Sequence, residues 1–139
     1  MPGGIENPVL GYATFAAIKL VGYSAMTYAM ARAYKKPGNV FLLAGITRTL
    51  IGLVVGAVYG LIMIILLNIS PTAVAPLFVI GLFFLRLGEW GLLIWLFFDR
   101  PLTEKSKDIL WIILGTVLSF FLDAPAFIGA IVTAGVWIC

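Results

Sequence analysis

The sequence predicts an all-α, polytopic membrane protein: four transmembrane helices in an up-down-up-down bundle, N-out and C-out. Three observations lead there. Of 139 residues, 63% are hydrophobic and only 11% charged, whereas a soluble domain carries about 25% charged residues to clothe its surface. Four apolar stretches each reach the roughly 20 residues needed to cross a hydrocarbon core of about 30 Å. Most of the remaining charges fall in short connections between these stretches.

The spans are expected at about 9–33, 40–67, 76–98 and 109–138, within a single domain covering 1–139. Lys35-Lys36-Pro37-Gly38-Asn39 closes the first with charge followed by helix breakers. Asn68-Ile69-Ser70-Pro71-Thr72 makes a polar turn after the second. Asp99-Arg100-Pro101 through Lys107-Asp108 separates the third from the fourth. Such short connections make neighbouring helices antiparallel. The second and fourth stretches exceed the minimum length by about a third, which implies tilting or kinking.

Loop charge sets the orientation. Arg32, Lys35 and Lys36 border the first connection, and Arg100, Lys105 and Lys107 the third. The middle connection and both termini have no Lys or Arg. Positive loops stay inside, so the first and third connections are expected to be cytoplasmic and the chain to lie in the cell (inner) membrane. The bias excludes a dual topology. It also accounts for the net charge of +3 without nucleic acid as a partner. One cysteine, Cys139, excludes an intrachain disulfide, and histidine is absent. Glu89, Asp123 and Cys139 form a poor ligand set, so no metal and no cofactor are expected. The N-terminal MPGGIENP is neither basic nor apolar, unlike a cleavable signal.

Five ionisable residues remain inside the spans: Lys19, Arg48, Arg86, Glu89 and Asp123. At 1.5 Å rise per residue each lies roughly 12–21 Å from its helix end, near the bilayer centre. Each charge at that depth costs at least about 2.5–3.5 kcal/mol, so five cost on the order of 12–17 kcal/mol before pairing. That rivals the whole stability of a typical domain, and it turns these groups toward the bundle interior.

Helical spacing agrees. Tyr12, Lys19, Tyr23 and Thr27 share a polar stripe on the first span, and Gly115, Ser119 and Asp123 share one on the fourth. On the second, Gly45, Arg48, Gly52, Gly56 and Tyr59 share a face. Gly52, Gly56 and Gly60 form two overlapping GxxxG motifs, which read as helix packing. Arg86 and Glu89, three residues apart, are expected to pair, and Asp123 to take a cation from Arg48 or Lys19. Three cations against two acids leave one over, to be met by lysine deprotonation, a bound anion or a partner subunit. Pro125 removes the donor to the Phe121 carbonyl. That yields either an ordinary kink or a freed carbonyl beside a midplane carboxylate, as in transporter ion sites. Trp111 and Trp137 read as interfacial anchors; Trp90, beside Glu89, either walls a pocket or faces lipid.

Ile18-Lys19-Leu20 and Arg86 before Glu89-Trp90 are similar to stretches of the membrane-associated eicosanoid and glutathione metabolism family. That family's basic-Asn-Glu cluster has no counterpart from Asn39 to Thr47, and the first loop is shorter, so no family is assigned. The candidate ligand or ion site comprises Lys19, Tyr23, Arg48, Arg86, Glu89, Ser119 and Asp123, with no catalytic residue. Its expected partners are the lipid bilayer, further copies of the chain or another membrane subunit, and a small anion or lipid head group. The leading expectation is an oligomeric transporter or channel for a small anionic or proton-coupled solute. A non-catalytic subunit of a larger membrane complex comes second, and a membrane enzyme acting on a lipophilic substrate third.

Overall fold

In a computed structural model the backbone is described for residues 8–69 and 71–138, and side chains for 13–66, 68–69 and 76–124. Among the described residues there are four helices and no strands: α1 (Pro8–Ala33), α2 (Val40–Leu67), α3 (Pro71–Phe97) and α4 (Lys105–Ile138). Two starts differ from expectation. α3 begins at Pro71 rather than 76, because proline is pre-organised for a first turn and gives up no needed donor there. α4 begins at Lys105 rather than 109, because loss of hydropathy marks where a chain meets water, not where its backbone ceases to be helical.

The helix ends follow from local chemistry. α1 stops in a Schellman motif: Lys36 N donates to Ala31 O at 2.9 Å and Lys35 N to Arg32 O at 3.2 Å. This requires a left-handed residue, supplied by Lys35 at φ 53°, and Pro37 follows to prevent continuation. α4 is started by Asp99, whose Oδ2 accepts from Thr103 N at 2.7 Å and Glu104 N at 3.1 Å. Those bonds, the Glu104 amide foremost, hold the Asp99 carboxyl below its ordinary range.

The helices form a ring in which α1 touches α2 and α4, and α3 touches the same two. Contacts run antiparallel throughout. Thr27 donates to Phe41 O at 2.8 Å, while one turn earlier on α1, Ser24 lies against Gly45 one turn later on α2. Tyr59 of α2 donates to Phe78 O of α3 at 2.8 Å. Glycines grant the closest approaches: a Cβ at Gly45 would stand 2.9 Å from Ser24 Cα, and one at Gly115 would enter the Trp90 ring. The GxxxG face behaves differently. A Cβ at Gly56 or Gly60 would meet no described atom within 4 Å, and at Gly52 it would meet only the Arg48 and Arg86 side chains.

Every helix turns apolar side chains outward: Val21 is 70% exposed, Val54 63%, Phe84 65% and Phe121 73%. Two helices, over Val40–Leu66 and Pro76–Phe97, are long and apolar enough to cross a membrane. Only 11% of the most apolar part of the former is buried in the chain, so it is not the core helix of a water-soluble fold.

At the loop end, Tyr34 donates to Asp108 Oδ1 at 2.5 Å, packs on Phe98 and lies under Lys107 Nζ. Burial first, then the Asp108 hydrogen bond and charge, push the Tyr34 phenol above its ordinary value. A raised tyrosine contributes stability that is complete below the unfolded pKa near 10 and is lost as pH climbs through the folded one. Tyr34→Phe is therefore expected to lower stability by about 1–2 kcal/mol at neutral pH. It should also remove the steeper loss above pH ~10 that the parent shows on denaturation in detergent.

Candidate functional site

All five in-span charges converge in one buried layer to which every helix contributes. Lys19 on α1, Arg48 on α2, Arg86 and Glu89 on α3, and Asp123 on α4 are each no more than 5% exposed. They form an alternating ladder. Lys19 Nζ lies 2.5 Å from Asp123 Oδ1, and Asp123 Oδ2 lies 2.9 Å from Arg86 Nη2. Arg86 Nη1 lies 3.0 Å from Glu89 Oε2, and the same oxygen lies 2.7 Å from Arg48 Nη2. Both ends of the ladder are cations.

The pairing differs in part from expectation. Asp123 takes Lys19 and also Arg86, while Arg48 pairs with Glu89. The reason is steric as well as electrostatic. Gly52 has no Cβ, so Arg48 and Arg86 approach from either side of Glu89; their Nη1 atoms would stand 2.8 and 3.5 Å from a Cβ at that position. One carboxylate oxygen between two guanidinium groups offsets their repulsion.

Arg48, fully buried, is the most enclosed member. Its guanidinium carbon lies 4.7 Å from the Tyr23 ring centroid and 5.0 Å from that of Trp90, and those rings meet edge to face. Cation–π contact with two rings replaces part of the hydration the ion has lost. Arg48 Nη2 also donates to Ser119 Oγ at 3.3 Å. Lys19 Nζ lies 4.3 Å over the Phe15 ring. Trp90, fully buried, walls the layer and donates from Nε1 to Ser119 Oγ at 3.0 Å. Ser119 in turn donates to Gly115 O at 3.0 Å. With its proton engaged there, its oxygen accepting from a cation and no base beside it, Ser119 is not arranged as a nucleophile.

Not every buried polar atom is satisfied. Tyr23 Oη, Arg48 Nε and Nη1, Arg86 Nε and Glu89 Oε1 are buried without a hydrogen-bond partner. Outside the layer the same holds for Ser24 Oγ, Asp108 Oδ2 and Thr116 Oγ1. Such atoms are rare in folded proteins, and five of these eight fall in the layer.

Sequence reasoning did not single out the Tyr34–Asp108 bond. Asp108 read as a loop charge, and only the four-residue earlier start of α4 places it on a helix facing α1. Tyr12, Pro125 and Trp137 have side chains outside the described residues; the α4 backbone is helical through 125. Among the described residues no group of acidic or cysteine side chains is placed to hold a metal. At the loop end, a cleft of about 430 Å³ is lined by Lys36, Phe97, Asp99 and Arg100, among others. No protein-family model, curated protein or solved structure matches the chain.

The ladder makes unequal demands on its members. Glu89→Gln strips Arg48 of its carboxylate and leaves two guanidinium groups facing each other, at an expected cost of about 3–5 kcal/mol. Arg48→Met leaves two cations and two acids, all paired, and is expected to cost less than half as much. Reversible unfolding of the two variants in mixed detergent micelles, compared with the parent, checks this order.

Proposed function

We propose that the chain is a four-span integral protein of the cell membrane, N-out and C-out, that works as an oligomer to move a small anionic or proton-coupled solute through its charged layer. The buried ladder carries this reading. Ionisable groups inside a membrane are expensive and concentrate along ion and proton paths, and here all four helices contribute to one such layer. An apolar surface on every helix supports four spans rather than two. The concentration of Arg32, Lys35, Lys36, Arg100, Lys105 and Lys107 at one end supports a cytoplasmic position for that end. Four helices enclose little volume, so passage lies between or beside subunits rather than down one bundle.

One observation favours a second reading, that of a non-catalytic subunit in a larger membrane complex. Among the described residues no atom lies within 4 Å of a Cβ placed at Gly56 or Gly60, and glycine ridges of this spacing pack against helices in membranes. Copurification with a different membrane protein in gentle detergent distinguishes this from self-association.

Flux in proteoliposomes tests the leading reading. The parent should move an anion or protons, and Arg48→Ala and Asp123→Asn should each slow that flux by at least about tenfold, the effect of one lost interaction of 1.4 kcal/mol. No flux across a broad anion and proton panel rejects transport. Orientation is checked on intact cells. An impermeant maleimide should label Cys139 from outside, and a cysteine placed by Lys36→Cys in a Cys139→Ser background should be labelled only after lysis.

A further inference from the structure

We infer that the layer seats one small monovalent anion on the unpartnered Nη1 side of Arg48, beside the Tyr23 hydroxyl. This deepens the transport reading and depends on it only for passage of the anion, not for its binding.

The charge count comes first. Lys19, Arg48 and Arg86 face Glu89 and Asp123 inside a layer whose members are all at least 95% buried. With Lys19 protonated one positive charge is uncompensated, and a bare ion in such surroundings is far more costly than a paired one. A ligand of charge −1 completes an alternating row of three cations and three anions. A divalent ion turns a surplus of +1 into −1 and gains no neutrality.

Hydrogen bonding makes the same demand independently. The unpartnered atoms of the layer are four that can donate, Tyr23 Oη, Arg48 Nε and Nη1 and Arg86 Nε, against one acceptor, Glu89 Oε1. A ligand that only accepts satisfies such a set, and simple anions have that property. The Tyr23 ring centroid lies 4.7 Å from the Arg48 guanidinium carbon, so its unpartnered hydroxyl belongs to the same buried neighbourhood as the free Arg48 donors.

The surroundings of Arg48 then fix the direction of approach. Tyr23 and Trp90 cover the guanidinium with their rings, which leaves the plane of the group, where its N–H bonds point. Nη2 is occupied by Glu89 and Ser119. Nη1 remains, and it borders Gly52, where the missing Cβ would stand 2.8 Å away. Gly52 therefore lets Nη1 lie against the α2 backbone, with Arg86 Nη1 3.5 Å from the same missing Cβ. Lys19, the cation at the other end of the ladder, already sits on Asp123 and the Phe15 ring.

The test uses the full chain in phosphatidylcholine nanodiscs and reads the thermal midpoint in chloride, nitrate and sulfate at matched ionic strength. Chloride and nitrate should raise the midpoint saturably, with sulfate at least about tenfold weaker. Arg48→Met should abolish the chloride shift, and Tyr23→Phe, which removes a single hydroxyl, should weaken chloride binding by about tenfold. The seat is overturned by a parent that ignores chloride, by sulfate binding as tightly as chloride, or by Arg48→Met keeping the shift. If Arg48→Met does not fold, unchanged chloride affinity in Tyr23→Phe overturns it. Chloride binding without flux in proteoliposomes keeps the seat and removes the transport reading. Proton flux with no response to chloride does the reverse.

Discussion

A carboxylate oxygen shared by two guanidinium groups is the contact on which this bundle depends. Glu89 Oε2 accepts from Arg48 and Arg86 at 2.7 and 3.0 Å, and through it α2 and α3 are tied by charge. Asp123 also bridges two cations, through separate oxygens, joining α3 to α4 and α1 by way of Arg86 and Lys19. Among the described residues the backbones of opposite helices in the ring do not approach each other closely. It is the long polar side chains that bridge the middle, Arg48 of α2 reaching Ser119 of α4 and Tyr23 of α1 meeting Trp90 of α3. Apolar helices in lipid gain nothing from hydrophobic burial against each other, so hydrogen bonds and close packing must hold them. In that setting the buried Lys, Arg, Glu, Asp, Ser and Thr side chains hold the helices together beside an apolar cluster that includes Met30, Trp90, Leu93 and Ile94.

The same arrangement is the basis of the proposed function. A ladder that served stability alone would be neutral and fully bonded. This one ends in cations on both sides and leaves donors on Arg48, Arg86 and Tyr23 without acceptors. Buried ion pairs are at best weak contributors to stability once desolvation is counted, and the proposed role of this layer rests on its five buried charges and their surplus cation. Binding of a counter-charge is the simplest such role.

Much of this was legible in the sequence because lipid and charge impose stark rules. Helix positions followed from hydropathy to within a few residues, apart from the starts at Pro71 and Lys105, where polar residues continue a helix beyond the apolar stretch. Polar stripes at three- and four-residue steps put Lys19, Tyr23, Arg48, Ser119 and Asp123 on inward faces, since periodicity reports direction directly. Partner choice was less legible. Whether Asp123 meets Lys19, Arg48 or both depends on rotation and depth differences of a few ångströms between helices, which no spacing encodes. Trp90 was undecided because an indole suits a lipid face and a pocket wall equally; Gly115, one helix away, resolves it by making room for the ring. The Gly52-Gly56-Gly60 motif marked a surface suited to close contact without saying whose: Gly52 makes room for two arginines, and Gly56 and Gly60 meet no described atom within 4 Å.

A thermodynamic cycle between Lys19 and Asp123 tests most directly whether charge pairing organises the bundle. Asp123→Asn alone should destabilise the protein in micelles by about 3–5 kcal/mol, and adding Lys19→Met should restore a large share, because the pair leaves together and the remaining charges stay bridged by Glu89. Losses that simply add, or a double variant less stable than either single one, would contradict a ladder held by these pairs.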